Sequence, residues 1–167
     1  MTNGKYHLWT KLAIFCLLLF PLGTLRSMAS PVMLDDQLEG LRTALIRRGF
    51  KVIFQHPSVQ GAYGLYESKA KTLWISPLAF ELGIGKQVFL HEAVHAVQSC
   101  PNGVLTPLGW HDNLPSSAEH EISGILYNNY RHKNKALERE AFLAQGQPNG
   151  AKRIIAALRT RCGKKRN

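Results

Sequence analysis

The 167-residue sequence lacks any apolar run long enough to cross a bilayer: its longest, Leu12 to Leu22, falls well short of the about 20 residues a spanning helix needs. A multispanning membrane protein is therefore excluded. Acidic residues are scarce, 11 Asp plus Glu against 21 Lys plus Arg, which gives a formal charge of +10. There is no internal repeat and no low-complexity stretch, which removes collagen-like and multi-domain architectures. No basic stripe interleaved with aromatics appears, so the excess charge does not imply a nucleic-acid partner. With 45% hydrophobic and 19% charged side chains, the chain is not a disordered polar tail either.

Among the features present, the first is a targeting pattern. Lys5 and Lys11 precede the apolar run, Pro21 and Gly23 break it, and Ser27-Met28-Ala29 places small residues where a signal peptidase reads. Residues 1–29 are read as a signal peptide and residues 30–167 as one exported domain, secreted or periplasmic, or membrane-anchored if cleavage fails. Loss of Lys5, Lys11 and Arg26 lowers the formal charge from +10 to +7. The remaining cations are dispersed, apart from Arg47-Arg48 and Lys164-Lys165-Arg166, and suit anionic envelope surfaces or acidic substrates. Cleavage also removes Cys16. It leaves Cys100 and Cys162, which one bridge could join in an oxidising compartment or which could stay as two buried thiols.

Along the rest of the chain, Leu34, Leu38, Leu41, Leu45 and Ile46 form one helical stripe that Gly49 ends. Phe50–Gln55, Ala62–Glu67 and Lys71–Ser76 predict three strands, the last two joined by the short turn Ser68-Lys69-Ala70. Helices are expected over Lys86–Gln98, from the capping-box pattern Ser116-x-x-Glu119, over Lys135–Gln145 and over Ala151–Arg161. Between Ser99 and Pro115, prolines, glycines and asparagines mark a long irregular loop, a class of segment that is usually functional or mobile.

The chemistry is concentrated in His91-Glu92-Ala93-Val94-His95, an HExxH pattern within the second of these helices. Residues four apart lie one above the other, so both imidazoles can reach one metal ion. Glu92, rotated about 100° from His91, can reach a water on that metal without being a ligand. A shuffled chain of this composition would contain the pattern about once in a hundred. Its apolar flanks, Val88 to Leu90 and Ala93 to Val97, would make a buried His-Glu-His cluster costly unless a metal or an ion pair satisfied it.

A catalytic zinc takes three protein ligands. Downstream candidates for the third are His111, His120, Glu121, His132, Glu138 and Glu140. The metzincin spacing fails, because Gln98 stands where its glycine belongs and Pro101 where its third histidine belongs. Glu140 fits best, at the head of a stretch with small neighbours. Glu138 points to nearly the opposite side of the same helix, so only one of the two can face the metal. His120 and Glu121 are the next candidates.

HEAVH followed by the helix Leu137 to Gln145 resembles the gluzincins, the thermolysin-like zinc peptidases, in their minimal single-domain form. The resemblance spans about residues 62 to 145. It implies an α+β zincin-like fold, with a small antiparallel or mixed sheet packed on the HExxH helix and a second ligand-bearing helix. It further implies Zn2+ held by His91, His95 and Glu140, with Glu92 as general base in hydrolysis of a protein or cell-wall peptide. The substrate would lie antiparallel to an edge strand, here Lys71–Ser76. The acid that such enzymes often carry four residues after the ligating Glu is replaced by Ala144, and Gln145 or a backbone carbonyl would orient the histidine instead. The oxyanion-stabilising residue stays open among His111, His120, Tyr127, Tyr130 and His132. Tyr63, Tyr66 and Trp74 are expected to pack the sheet. A zinc-stabilised binding or inhibitory module without turnover is the alternative reading.

Overall fold

The computed structural model describes residues 32–111, 116–117, 120, 122–124 and 135–163. The expected signal peptide, Cys16, Glu121, Tyr127, Tyr130 and His132 lie outside the described residues. Within the helix expected from Ser116, the residues described are helical.

Helix α1, Asp36–Arg47, is capped by Asp35, whose carboxylate accepts the Leu38 amide N–H at 2.8 Å. It buries Leu38, Leu41 and Leu45. Gly49 ends it at φ 83°, a conformation that costs glycine nothing and other residues a steric penalty. Three strands follow: β1 (Lys51–Ile53), β2 (Gly64–Glu67) and β3 (Thr72–Ile75), each near its expected place. They form a mixed sheet in the order β1-β3-β2, with β1 parallel and β2 antiparallel to β3.

Because side chains alternate along a strand, the register puts Val52, Leu73 and Tyr66 in one row facing the helices, and Ile53, Trp74 and Leu65 in a row on the outer face. The expected edge strand needs correction. The second strand of the hairpin, β3, is central among the described strands, and the free edges belong to β1 and β2.

A short helix that the sequence reading did not anticipate, α2 (Pro77–Glu81), starts at once after β3, with the proline at a first-turn position where its missing N–H costs nothing. Helix α3, Gly85–Gln98, is the centre of the fold and packs on α2, β2, β3 and the two C-terminal helices, α4 (Lys135–Gln145) and α5 (Gly150–Arg161). Phe89, Leu90, Ala93, Val94 and Val97 of α3 join Leu41, Leu45, Leu73, Ile154 and Leu158 in a single core. Among the described residues, no helix is long and apolar enough to cross a membrane.

Cys100 and Cys162 are disulfide-bonded, with Cα atoms 5.2 Å apart, so the residue just past α3 is joined to the end of α5 across 62 positions of chain. Closing a span of that length restricts the unfolded chain strongly. Replacing both cysteines by alanine should therefore lower the unfolding free energy by about 2–5 kcal/mol. Urea denaturation of the oxidised parent beside the double variant measures the difference, and equal midpoints would contradict it.

Candidate metal centre

His91 and His95 sit one turn apart on α3, their ring centroids 4.8 Å from each other. Both Nε2 atoms point at one carboxylate oxygen, Glu138 Oε2 on α4, at 3.1 and 3.4 Å. The three potential ligand atoms lie within 4.8 Å of one another, so His91, His95 and Glu138 could hold a metal ion. Bonds of about 2.0–2.2 Å in a tetrahedral site separate ligand atoms by about 3.3–3.6 Å, close to the two spacings between the imidazoles and Glu138.

The far side of each ring is fixed by an amide oxygen. His91 Nδ1–H donates to Gln145 Oε1 at 3.0 Å, and His95 Nδ1–H donates to Gln98 Oε1 at 2.7 Å. Gln98 can present only its oxygen to His95, because its Nε2 already donates to the Leu137 carbonyl at 3.0 Å and to Glu140 Oε2 at 2.8 Å. Each Nδ1 keeps its proton on an amide oxygen, so it is Nε2, which meets Glu138, whose proton a metal would displace, leaving the tautomer a metal ligand requires. Gln145, next to Ala144, is thus the residue that orients His91.

The structure does not bring Glu140, the expected third ligand, to the two imidazoles; the carboxylate that faces them is Glu138. Glu140 is only 4% exposed, and besides Gln98 it accepts three backbone N–H groups of the long loop: Leu108 at 2.7 Å, Gly109 at 2.6 Å and Trp110 at 3.0 Å. Both of its oxygens are committed to holding the loop on α4. The two glutamates face different ways, as the helix geometry requires, with Glu138 towards the imidazoles and Glu140 towards the loop. One signal was present in the sequence. Gln145 lies seven residues after Glu138, about 20° away around the helix, but about 140° from Glu140, so a Gln145 that orients His91 is compatible only with Glu138 as its neighbour.

Burial works to raise the Glu138 carboxyl pKa, but hydrogen bonds from His91 and His95 outweigh it and bring the value down to about 2. For His95 burial favours the neutral ring, yet the hydrogen bond and charge of Glu138, with Glu92 and Gln98, push its pKa above the ordinary imidazole value.

Glu92, 8% exposed, faces away from the ligand row towards β2. Burial raises its pKa, with the charge of Glu138 adding to the rise, while His91, His95 and a backbone hydrogen bond with Tyr66 oppose it. The strand can come this close because position 64 has no side chain. A Cβ on Gly64 would lie 2.7 Å from Glu92 Oε1 and from Val88 Cγ1. Between β2 and α3 a cleft of about 240 Å³ opens onto His91, Glu92, His95 and Glu138, with Leu105 of the long loop on its wall.

Of the other candidates, His111 and His120 are exposed and belong to no metal-capable group among the described residues. Tyr66 packs edge-on to Phe50, with its hydroxyl 2.7 Å from Ser99 Oγ, and Trp74 lies in the outer row of the sheet. Gln98 was missed as a functional residue, although its place three residues after His95 on the same helix put it within reach.

No protein-family model, curated protein or solved structure matches the chain. The geometry of the site stands alone.

Two outcomes are expected. Glu138→Ala should weaken the binding of an added divalent metal ion by more than about a hundredfold, beyond what loss of an outer partner costs. Glu140→Ala should change it by less than about tenfold while destabilising the fold by about 3 kcal/mol or more, since four donors are left buried. Chelator competition and urea denaturation on both variants separate the two roles, and the reverse pattern would restore Glu140 as ligand. The second outcome concerns pH. Protons compete for the lone pair that metal needs, so affinity falls as pH drops through the His95 pKa. An unshifted imidazole would give a loss of about fourfold between pH 8 and pH 6, and the raised value of His95 makes the loss larger. Affinity flat over that range would contradict the geometry.

Proposed function

We propose that the chain is an exported zinc-dependent peptidase, with His91, His95 and Glu138 holding the metal and Glu92 acting as general base. The observation that carries this reading is the convergence of both Nε2 atoms and the Glu138 carboxylate on one point at the wall of a cleft that also exposes Glu92. Two neutral imidazoles and one carboxylate are the donor set of many catalytic zinc sites, and they leave a coordination position open. Zinc bound there would supply Lewis-acid polarisation of the scissile carbonyl and lower the pKa of a water beside it.

The protein's own groups account for the rest. Glu92, with a pKa raised by burial, is placed to accept a proton from a water in the cleft and to return it to the departing amine. The edge strand β2 borders the cleft, and an extended peptide adding to that edge would lay its backbone across Glu92. Leu105 of the long loop forms part of the cleft wall beside the catalytic groups. The gluzincin-like sequence supports the same reading, with Glu138 in place of Glu140. Export is supported by the targeting pattern of residues 1–29 and by the Cys100–Cys162 bond. The alternative is a zinc-stabilised binding or inhibitory module without turnover; the hydrogen bond that orients His91 on Gln145 supports the enzyme reading over it.

Glu92→Gln tests the proposal. It should keep about one zinc per chain and lower hydrolysis of a quenched-fluorescent peptide library by at least about a hundredfold. A zinc-loaded parent that cleaves none of the library, with the variant indistinguishable from it, would favour the binding module.

A further inference from the structure

Away from the cleft, α1 and α5 pack side by side and leave between them a cavity of about 380 Å³. Three guanidinium side chains line it, Arg47 and Arg48 from the end of α1 and Arg159 from α5, together with the Thr43 hydroxyl. Its floor is apolar, made by Ala44, Ile155 and Leu158. No carboxylate among the described residues lines it. The acids of α1 are confined to its first turn, where Glu39 is already paired with Arg42 at 2.8 Å.

The charge around the cavity is one-sided over a longer stretch of chain. Residues 141–167 contain no Asp or Glu and seven Lys or Arg. Arg48 Nη1 donates to the Cys162 carbonyl at 3.4 Å, which sets the end of the described chain beside the cavity. The sequence then continues through Gly163 to Lys164-Lys165-Arg166. A cation in the last turn of a helix complements the macrodipole, which accounts for Arg47 and Arg159 singly. It does not account for their convergence with Arg48 on one cavity.

Guanidinium groups match phosphate oxygens in a planar, two-pronged geometry. A bare phosphate would leave the apolar floor uncovered. A nucleic acid would call for an extended basic track with aromatic stacking platforms, and none of the lining residues is aromatic. An anion joined to methylene groups satisfies both halves of the cavity. We propose that the α1–α5 groove docks the protein on a membrane rich in anionic phospholipid, with a lipid phosphate held among Arg47, Arg48 and Arg159 and the adjoining glycerol and first methylenes against Ala44, Ile155 and Leu158. This site is independent of the peptidase reading, because neither helix lines the cleft.

The test is co-sedimentation of the full chain with vesicles of phosphatidylcholine alone and with about 30% phosphatidylglycerol added. The readout is the ratio of the two affinities, compared between proteins that all carry the same N-terminal segment with its three cations. Each cation near an anionic surface is worth about fivefold, so Arg47→Gln/Arg159→Gln should cut the ratio by about 25-fold. Lys69→Gln/Lys86→Gln removes the same net charge at positions outside the groove and should cut it by less than about threefold. Circular dichroism establishes that both variants fold. Equal losses in the two variants would reduce the effect to diffuse charge and overturn the proposal, as would a parent ratio near one. Poly-glutamate or inorganic phosphate binding the parent more tightly than the anionic vesicles, with that binding lost in the arginine variant, would reassign the groove to an acidic protein or a free anion and overturn it too.

Discussion

A helix buried on nearly every side carries two imidazoles and a carboxylate, and the arrangement around α3 follows from the need to satisfy them. An unpaired ionisable group in such a place costs several kcal/mol, more than most single contacts return. Each ring is therefore held at both ends, His91 between Glu138 and Gln145 and His95 between Glu138 and Gln98. These contacts set where α4 can lie. Glu138 and Gln145 stand two turns apart and both must reach His91, which fixes the position of α4 along α3 as well as its rotation. The small buried residues Ala141 and Ala144 on the same helix let it come close enough to do so. Apolar packing alone would tolerate a shift of the two helices past each other; the polar pairs do not.

The same logic extends outward from His95. Gln98 passes the constraint from the imidazole to Glu140, and Glu140 passes it to the backbone of Leu108, Gly109 and Trp110. The long loop is also held from its other side. Arg161 donates to the carbonyls of Cys100 at 3.2 Å, Thr106 at 3.0 Å and Pro107 at 2.8 Å, and the Arg153 guanidinium lies 4.2 Å from the centre of the Trp110 ring. The disulfide fixes the point where the loop leaves α3. A segment with almost no regular structure thus becomes a wall of the cleft, anchored by partners on α4 and α5. Its ordering and the orientation of His95 are parts of one network, so the integrity of the loop bears on the metal-capable site it adjoins.

How much of this the sequence carried depends on the range of the interaction. The HExxH helix, the α4 limits and the hairpin between β2 and β3 rest on local periodicity, and the structure places them where expected. The α2 helix escaped because five residues after a proline are too short for any periodic signal. Which strand sits at the edge escaped because β1 pairs parallel to β3, a contact between strands distant in the chain that no hairpin rule describes. Which of Glu138 and Glu140 meets the imidazoles was illegible for a related reason. The two helix carboxylates are two residues apart, and what holds Glu140 elsewhere is a set of backbone amides some 30 residues earlier. A buried carboxylate can be neutralised by converging N–H groups as well as by a metal, and residue type alone does not distinguish the two.

The distribution of charge separates two surfaces on the small domain. The carboxylates of Glu92 and Glu138 gather at the cleft formed by β2, α3 and α4, in company with the imidazoles, where a divalent cation would balance their excess negative charge. The arginines of α1 and α5 gather at a groove to which none of those elements contributes. Clustering of like charge is unfavourable in isolation, and for the acids it is offset by hydrogen bonds to His91 and His95 within the fold. At the groove no described carboxylate plays that part, so the repulsion among Arg47, Arg48 and Arg159 is relieved by solvent or by an anion from outside. None of the residues lining the groove lines the cleft. Attachment to a charged surface and access of a peptide to β2 are therefore compatible in one molecule.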